Sequence, residues 1–394
     1  MLAYLGLGSN VGDKESQLRA AVDALDANVG VRVRRGSALY RTAPQYVENQ
    51  DWFLNAAVEV ETLLEPRSLL RVIKEMERSL GRLPRVRYGP REIDIDLLAF
   101  PGREMSEPDL TVPHARLAER AFALRPLADL APDLTLTREG ETARVLLGRL
   151  TNPGGVEAHA AAPLRPRGGV WVDCRAESPE QTERMGSALA RVCLGGEVFA
   201  LCGELGAGKT CFARGFARGL GIRQPIQSPT FTLCRSYEVR RSRTRIENEE
   251  LRIENEEGRK RELGVRGQGS GVRGRNNEPS VENLRSGAAE GALTFYHWDF
   301  YRLVDSEEID EAGFEDSLDD PRGIVVVEWA DRFPEFWDFS HVKVWLTVVD
   351  DTTRAVAMRF PEDAERLAET AGQFSSASAP ATASRRGSAN RASS

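Results

Sequence analysis

The pattern of hydrophobic and polar positions along the first 150 residues predicts a small domain that mixes helices and strands. Apolar residues recur at i, i+3, i+4 and i+7 between Leu18 and Leu25, which is the spacing of one helical face. Residues 66–80 repeat this spacing, start at a proline and are followed by a glycine, so they also predict a helix. Strands are predicted at 3–8, 31–41, 53–61 and 93–100. This order favours an α+β sandwich over residues 1–150.

A second pattern starts at residue 170 and predicts an α/β domain that extends to residue 365. The preceding residues, 151–169, are rich in glycine, proline and alanine and lack hydrophobic periodicity, which predicts a linker. After a first strand, the chain predicts a helix at 179–192, a strand at 198–202, a glycine-rich loop and a helix at 209–220. This strand–helix order is typical of an open α/β sheet.

Two segments are predicted to be disordered. Residues 240–292 contain RIENEE twice and GVRG twice, each pair at an offset of seven residues. Two interrupted heptads are too few for a coiled coil, so we expect a low-complexity insertion, with a functional arm as the alternative. Residues 366–394 are rich in serine, alanine and arginine and are expected to be a disordered tail.

Composition and charge exclude several classes of protein. The chain has 394 residues, 41% of them hydrophobic, which permits two or three domains with cores. Its net charge of −7 argues against a protein held to nucleic acid by overall charge. Five cysteines without C-x-x-C spacing fit reduced thiols, and four histidines nearly exclude a histidine-rich zinc site. With neither an apolar run long enough for a membrane span nor a basic leader, we expect a cytoplasmic protein.

The most informative stretch of the first domain joins an arginine-rich loop to a strand with two aspartates. Four arginines lie within ten residues at 82–91, and Asp94 and Asp96 follow at alternate positions of a predicted strand. Alternate strand residues share a face, so the two carboxylates lie together and repel unless a divalent cation lies between them. Arginines suit phosphate oxygens, so the combination indicates phosphoryl transfer with Mg²⁺. The alternative is a solvated, charged face of an amphipathic strand.

Motifs across residues 1–150 resemble those of the hydroxymethyldihydropterin pyrophosphokinases of folate biosynthesis. The motifs stand in the order of that family: LGSN at 7–10, YRTAP at 40–44, FLNAA at 53–57, GPREIDID at 89–96 and VPH at 112–114. The resemblance implies a ferredoxin-like fold and the transfer of pyrophosphate from ATP to the hydroxymethyl group of a pterin. One departure is Thr-Ala-Pro, where the family usually has Thr-Pro-Pro.

The same resemblance implies roles for individual residues. Asp94 and Asp96 would hold two Mg²⁺ ions, while Arg82 and Arg91 would stabilise charge on the transferring group. The residues implied to line the nucleotide site are Glu77, His114 and Arg120. The residues implied to border the pterin are Thr42, Pro44 and Asn55, with Phe53 and Phe122 stacking on its two faces. Without the resemblance, Phe53 is equally well explained as a core aromatic residue.

A glycine-rich phosphate-binding motif starts the second helix of the second domain. It follows an apolar strand and fits G-x-x-x-x-G-K-[ST], which is the context that a P-loop requires. The eight residues of the motif are Gly203, Glu204, Leu205, Gly206, Ala207, Gly208, Lys209 and Thr210. Backbone amides of such a loop surround phosphates, the lysine reaches the β- and γ-phosphates, and the threonine hydroxyl ligates Mg²⁺.

Two acidic residues further along the chain complete this second set. Glu328 ends an apolar strand, which is where a P-loop protein has the carboxylate that orients its metal. Asp299 follows another apolar segment and could orient water or metal. The alternative is that both are ordinary surface acids at strand ends.

Motifs across residues 171–360 resemble TsaE, the P-loop ATPase that supports threonylcarbamoyladenosine modification of tRNA. The resemblance implies that Lys209 and Thr210 bind triphosphate and one Mg²⁺, and that Glu328 helps to hold this ion. It also implies that Thr230 lies in a switch-like loop and that Asp299 serves hydrolysis. It also implies partner subunits that form a threonylcarbamoyl transferase complex. The motifs, in family order, are GELGAGKT at 203–210, SPTFT at 228–232, DFYRL at 299–303 and EW at 328–329.

The sequence therefore predicts a fusion of a pterin pyrophosphokinase with a P-loop ATPase, both of which use ATP and Mg²⁺. One alternative is that the second half is a nucleotide-gated protein-binding module without productive hydrolysis. Another is that the first half is a binding domain or an inactive enzyme. Acidic residues crowd 307–320, which indicates a solvated face or a surface for protein partners and makes direct tRNA contact weak or absent.

Overall fold

The computed structural model describes seven stretches of the chain. These are residues 1–44, 50–83, 89–150, 155–230, 232–239, 292–337 and 339–375. Apart from residue 292, the predicted insertion lies outside the described residues, and so does the predicted tail from residue 376 onwards.

In the described residues, the first half of the chain forms an antiparallel sheet of six strands and a separate two-stranded hairpin. The strands are β1 (Leu2–Ser9), β2 (Val31–Gly36), β3 (Leu39–Thr42), β4 (Phe53–Thr62), β5 (Asp94–Ala99), β6 (Met105–Ser106), β7 (Thr111–Val112) and β8 (Val156–Ala160). The main sheet has the order β5-β1-β4-β3-β8, with β2 also paired to β4. The helices are α1 (Lys14–Ala27), α2 (Pro66–Ser79), α3 (Ala121–Leu130) and α4 (Ala143–Arg149).

The helices of this half cover both faces of the sheet. The apolar residues of α1 and α2 pack in one core cluster with Leu5 and Ile95 of the sheet. Those of α3 and α4 pack in a second cluster with Tyr4 and Leu98 on the opposite face. This α+β arrangement agrees with the prediction, because the helical faces were marked by regular apolar spacing.

The predicted strand at 31–41 is divided in two at Ser37. The Ser37 hydroxyl accepts a hydrogen bond from Ala57 N, and the Ser37 carbonyl accepts one from Leu164 N. A Cβ at Gly36 would collide with the Leu164 carbonyl, so the chain that follows the domain lies directly against this break. The division arises from a contact between residues far apart in sequence, which hydrophobic periodicity does not report.

The predicted linker contains a regular element. Strand β8 pairs antiparallel with β3 at the edge of the first sheet. Leu164, four residues after β8, is 1% exposed and belongs to the core on the α1 side of the sheet. An edge strand of mostly exposed residues is held mainly by backbone hydrogen bonds, so its sequence carries no apolar alternation.

In the part of the chain that the structure describes, the second half forms a sheet of seven strands. They are β9 (Val170–Ala176), β10 (Val198–Cys202), β11 (Cys234–Val239), β12 (Leu293–Asp299), β13 (Gly323–Glu328), β14 (Val342–Val348) and β15 (Arg354–Phe360). The order is β11-β12-β13-β10-β14-β15-β9, and β10 runs parallel to both of its neighbours. The helices are α5 (Pro179–Val192), α6 (Lys209–Gly219), α7 (Glu307–Glu311), α8 (Phe314–Asp319) and α9 (Glu365–Gly372).

Helix α9 lies where the sequence predicted the start of a disordered tail. Its residues Leu367 and Ala371 are buried in the core formed with α5 and α6. Only two apolar anchors in eight residues are too few for a periodic signal, so this helix depends on its tertiary contacts. None of the helices that the structure describes is both long and apolar enough to cross a bilayer.

A buried histidine in the second half predicts a loss of stability in mild acid. His341 is 7% exposed, and burial is the main reason that its pKa is lowered to about 4. Between pH 6.5 and 4 the unfolded chain therefore binds a proton at this residue that the folded chain does not, so stability falls as the pH falls. From pH 7 to pH 5 this residue lowers the free energy of unfolding by at most about 2 kcal/mol. A lower melting temperature at pH 5 than at pH 7 measures the effect.

The variant His341→Gln is expected to reduce this drop in melting temperature. His159→Gln is the matched control, because His159 is exposed. Equal pH dependence of wild type and His341→Gln would contradict the assignment.

Candidate functional site

A cleft at one end of the first sheet collects most of the predicted pyrophosphokinase residues. It lies on the α3 side, where β1 ends and β4 and β5 begin, beside the loops that precede α3. The predicted residues that line it are Thr42, Phe53, Asn55, Arg91, Asp94, Asp96, His114, Arg120 and Phe122. Pro44 is not among the lining residues, although its neighbour Ala43 is.

Asp94 and Asp96 lie on the same face of β5, as their spacing predicted. They pair with Gly8 and Gly6 of β1, and the alternate residue Ile95 is fully buried on the other face. Burial, followed by the charge of Asp94, raises the pKa of Asp96 to about 6. Two neighbouring carboxylates in a half-buried cleft, one of them with a raised pKa, are a donor set that suits a divalent cation.

Three arginines surround the two carboxylates. Arg82 Nη1 lies 3.0 Å from Asp94 Oδ1, and Arg91 Nη1 lies 2.6 Å from Asp94 Oδ2. On the other side, Arg120 Nη1 lies 3.6 Å from Asp96 Oδ2. The cleft thus has cationic groups at both ends of its anionic centre, an arrangement that can bind phosphate oxygens together with metal ions.

Glu77 supports the site from behind and does not form part of the cleft wall. It is 2% exposed, it accepts a hydrogen bond from Ile95 N at 2.7 Å, and it forms ion pairs with Lys74 and Arg82. Its carboxylate therefore ties α2 to β5 and orients Arg82. Glu77 is not among the residues that line the cleft, and its implied place in the nucleotide site stays a prediction.

The opposite end of the cleft has amide and aromatic groups. Asn55 Nδ2 donates to Thr42 Oγ1 at 2.7 Å, and both side chains are buried. Phe53 and Phe122 line the same cleft. Such groups suit a flat heteroaromatic ligand, with hydrogen bonds to the ring edge and aromatic contact to its faces.

Asn10 is a buried residue beside this cleft that was assigned no role from the sequence. Its Oδ1 accepts from Arg91 N at 2.7 Å, and its Nδ2 donates to Gln50 Oε1 and Asp51 O. Asn10 thereby connects the end of β1 to the loops on both sides of the cleft. Its place in the LGSN motif was the only signal that could have identified it.

His114 contributes an uncharged imidazole to the cleft. Burial and the neighbouring Arg120 and Arg116 lower the pKa of His114 to about 4. At neutral pH this ring can donate or accept hydrogen bonds without adding charge beside the arginines.

The P-loop of the second half connects β10 to α6, as predicted. Gly203 has φ +138°, and a Cβ there would collide with the Leu346 carbonyl, so only glycine fits. Lys209 is 4% exposed, and its Nζ donates to the carbonyls of Gly203 at 2.6 Å and Glu204 at 3.0 Å. The same Nζ lies 3.4 Å from the centroid of the Trp329 ring. The ammonium group is therefore held inside the loop, where a triphosphate would be bound.

A chain of hydrogen bonds joins the P-loop to the ends of β12 and β13. Thr210 Oγ1 donates to Glu328 Oε2 at 2.6 Å, and His297 Nε2 lies 2.9 Å from Glu328 Oε1. Glu328 and His297 are both buried. A hydroxyl and a carboxylate at this edge are the ligand types that Mg²⁺ takes in P-loop proteins, so the residues fit that ion.

Asp299 lies beside Glu328 because the two residues are paired in the parallel register of β12 and β13. It accepts hydrogen bonds from Thr230 Oγ1 at 2.7 Å and Tyr301 N at 2.8 Å, and it also contacts the Ser228 hydroxyl. The three predicted elements, namely the P-loop, the Thr230 loop and the two acidic strand ends, therefore meet at one place.

His297 and Asp331 are further residues of this second site that were assigned no role from the sequence. His297 lies two residues before Asp299, the first residue of the DFYRL motif, and its buried ring orients Glu328. Asp331 Oδ1 accepts from Gly203 N at 3.4 Å, and burial raises the pKa of Asp331. Asp331 follows β13 in a short 3₁₀ turn, where no spacing rule marks it.

Two protein-family models match separate parts of the chain. The model for 7,8-dihydro-6-hydroxymethylpterin-pyrophosphokinase (HPPK) matches residues 4–132. The model for the threonylcarbamoyl adenosine biosynthesis protein TsaE matches residues 176–258 and 271–356.

Relatives of the first half share a large part of their length with this chain. A 2-amino-4-hydroxy-6-hydroxymethyldihydropteridine pyrophosphokinase of Methylorubrum extorquens is 52% identical over 155 residues, which are 39% of this chain and 96% of the relative. The protein of the same name from Bacillus subtilis is 45% identical over 129 residues, 33% of this chain and 77% of the relative.

Among solved structures, YdiB of Bacillus subtilis is 23% identical, with 52% of this chain and 96% of that chain covered and a TM-score of 0.32.

Both groups of predicted residues therefore lie in the parts of the chain that the family models match. The second half is matched by the TsaE model over most of its length, and the chain belongs to the hydroxymethyldihydropterin pyrophosphokinase family through its first half.

Proposed function

We propose that the first half transfers pyrophosphate from ATP to the hydroxymethyl group of 6-hydroxymethyl-7,8-dihydropterin, which is a step in folate synthesis. The observation that carries this proposal is the pair Asp94 and Asp96 on one face of β5, with arginines on both sides and an amide and aromatic pocket beside them. The order of strands and helices is compatible with a ferredoxin-like fold, which we infer for this domain.

The residues of the cleft divide the work of this reaction. Asp94 and Asp96 would hold two Mg²⁺ ions, which offset the charge of the triphosphate when bound. Arg82 and Arg91, already paired with Asp94, can turn to the phosphate oxygens as negative charge develops there. Asn55 and Thr42 can hold the edge of the pterin ring, and aromatic contact from Phe53 and Phe122 fixes its plane.

The direct test is the release of AMP by the purified full-length chain with ATP, Mg²⁺ and the pterin alcohol. We expect AMP that depends on the pterin, because transfer of the two terminal phosphates leaves AMP. Pterin binding without AMP would instead support the alternative, a binding domain or an inactive enzyme.

We propose that the second half is a P-loop ATPase that supports threonylcarbamoyladenosine modification of tRNA together with partner subunits. Lys209 and Thr210 would bind the triphosphate and one Mg²⁺, Glu328 would help to hold this ion, and Asp299 would orient the attacking water. The carboxylate of Asp299 beside Glu328 favours hydrolysis over simple binding, because nucleotide binding needs no residue that orients an attacking water.

Phosphate release, measured with and without the partner subunits, separates these two readings. We expect turnover that rises when the partners are present. Tight nucleotide binding without phosphate release under both conditions would support the nucleotide-gated module.

A cytoplasmic location is part of the proposal, in keeping with the five free cysteines.

His297 provides a specific prediction for the metal in the second half. His297→Leu removes the hydrogen bond that orients Glu328, so the Mg²⁺ concentration needed for half-maximal nucleotide binding is expected to rise by about 10–100-fold. Binding of a fluorescent ATP analogue in a Mg²⁺ titration measures this shift.

Nucleotide binding without Mg²⁺ is the internal control of that titration, and His297→Asn should recover part of the effect by retaining a donor. An unchanged Mg²⁺ requirement in His297→Leu would contradict the role of this residue.

A further inference from the structure

The two domains meet at the carboxyl end of α1, where a lysine of the second half is completely buried. Lys343 on β14 has no exposed surface. Its Nζ donates to the carbonyl oxygens of Asp26 at 3.0 Å, Asn28 at 2.7 Å and Val31 at 2.6 Å. All three acceptors belong to the first half, so one ammonium group bridges the two domains.

This contact provides hydrogen-bond partners both for the carbonyl groups at the end of α1 and for the buried ammonium of Lys343. The last carbonyl groups of a helix lack partners within the helix and carry partial negative charge. Burial lowers the pKa of Lys343 to about 7, which expresses the cost of removing its ammonium from water. Three carbonyl partners and the nearby Asp26 side chain compensate that cost only while the domains are together.

Two further ion pairs cross the same boundary. Arg359 Nε donates to Asp26 Oδ2 at 2.9 Å, and both side chains are buried. Arg32 forms two parallel hydrogen bonds with the Asp173 carboxylate, at 2.7 and 2.8 Å. The Trp171 indole also donates to Asp26 Oδ2, at 3.1 Å. The Arg32–Asp173 pair is bidentate and the Arg359–Asp26 pair is buried, so both have a defined geometry that exposed, solvent-screened ion pairs lack.

An apolar contact lies at the centre of the interface. Val29, in the turn after α1, is fully buried and belongs to a core cluster that otherwise consists almost entirely of residues of the second half. The Trp345 indole donates to the Val29 carbonyl at 2.6 Å, and Asn28 Nδ2 donates to the Pro334 carbonyl at 2.7 Å. Lys343 is paired with Ala200 of β10 in the sheet, so this contact lies on the strand next to the one that leads into the P-loop.

We infer that residues 26–32 and the sheet face formed by β9, β14 and β15 are a permanent interface, and that the two domains form one cooperative unit. Interfaces between independently moving domains are usually more polar and expose their charges. Here, separation would leave a helix end, an aspartate and three cationic side chains without their partners. This inference does not depend on the proposed activities. It implies that a ligand bound to either half stabilises both.

The test is to cut the chain between the domains and ask whether the halves stay together. A protease site inserted between Ala161 and Ala162, which are both exposed, leaves the interface intact. After cleavage of the folded full-length protein, we expect the two fragments to co-elute in size-exclusion chromatography at about micromolar concentration. Elution as two separate fragments would overturn the inference.

A variant at the centre of the interface sharpens this test. Val29→Lys puts an unpaired ammonium into the apolar cluster that Val29 shares with the second half, and we expect it to weaken association of the cut halves by about 100-fold or more. The matched control is Val145→Lys, because Val145 is exposed on α4 and distant in the fold from this face. Co-elution of the cut Val29→Lys halves, as tight as in the control, would overturn the inference.

Calorimetry of the uncut wild type provides a readout that needs no variant to fold. We expect a single unfolding transition, and two separate transitions would contradict the inference. Because both halves have a site for Mg-ATP, the pterin alcohol is the ligand that tests coupling, and it should shift the whole transition upward. For Val29→Lys and for Lys343→Met, circular dichroism and binding of each ligand distinguish loss of docking from loss of folding.

Discussion

Asp94→Asn is expected to lower pterin-dependent AMP formation by at least about 1000-fold while the chain remains folded. Asp94 is half of the carboxylate pair that suits a divalent cation, and it also orients Arg82 and Arg91. The substitution retains the size of the side chain but removes its charge, so both the metal ligand and the anchor of two arginines are lost. Initial rates of AMP release at saturating ATP measure the effect.

The matched control for this variant is Asp109→Asn. Asp109 also pairs with an arginine, Arg67, but it is exposed and distant from the cleft residues. We expect this control to retain nearly full activity, because exposed ion pairs contribute little. Substantial AMP formation by Asp94→Asn would contradict the assignment of Asp94 as a metal ligand and would favour a simple charged face.

Lys209→Met is expected to abolish ATP hydrolysis by the second half, with a loss of at least about 100-fold. The ammonium group is buried in the P-loop and held by two backbone carbonyls, which it can leave for the β- and γ-phosphates. Methionine retains the length of the side chain but cannot neutralise phosphate charge. Phosphate release in the presence of partner subunits measures the loss.

Pterin-dependent AMP formation by Lys209→Met should equal that of the wild type, because the two nucleotide sites consist of different residues. Arg214→Met, on the same helix but paired with Glu183 outside the P-loop, is the matched control and should hydrolyse ATP normally. Wild-type hydrolysis by Lys209→Met would contradict the role of the P-loop lysine. A loss of AMP formation would instead indicate that the two sites communicate in catalysis.

Elements with a strong internal pattern could be predicted from the sequence. The predicted helix at 66–80 is observed at Pro66–Ser79, and the pattern between Leu18 and Leu25 lies within the helix Lys14–Ala27. Each of these helices buries a regular apolar face, and α2 also has proline at its start. Two elements in segments that were predicted to be a linker and a disordered tail, β8 and α9, are held by backbone pairing at a sheet edge or by two apolar anchors. Their stability comes from the rest of the fold, so their own residues carried little signal.

The candidate sites likewise contain residues that local motifs identified and residues that only tertiary contacts reveal. Asp94 and Asp96, and the P-loop from Gly203 to Thr210, were identified because their chemistry lies within a few consecutive residues. The implied place of Glu77 in the nucleotide site stays a prediction, whereas the contacts of its buried carboxylate with Ile95 N and Arg82 depend on how α2 packs on β5 and could not be predicted from the sequence. His297 was not assigned a role, since its partner Glu328 is 31 residues away in sequence.

The sequence alone determined the identity of the two domains, the paired carboxylates and the P-loop, because each depends on short-range spacing that the backbone converts directly into geometry. Only the tertiary structure decided how the domains are joined. Lys343 and the end of α1 are more than 300 residues apart in sequence, and no local pattern relates a lysine in a strand to three carbonyl groups in a distant turn. Such contacts form because a buried charge must find partners in the folded chain, wherever in the sequence those partners stand.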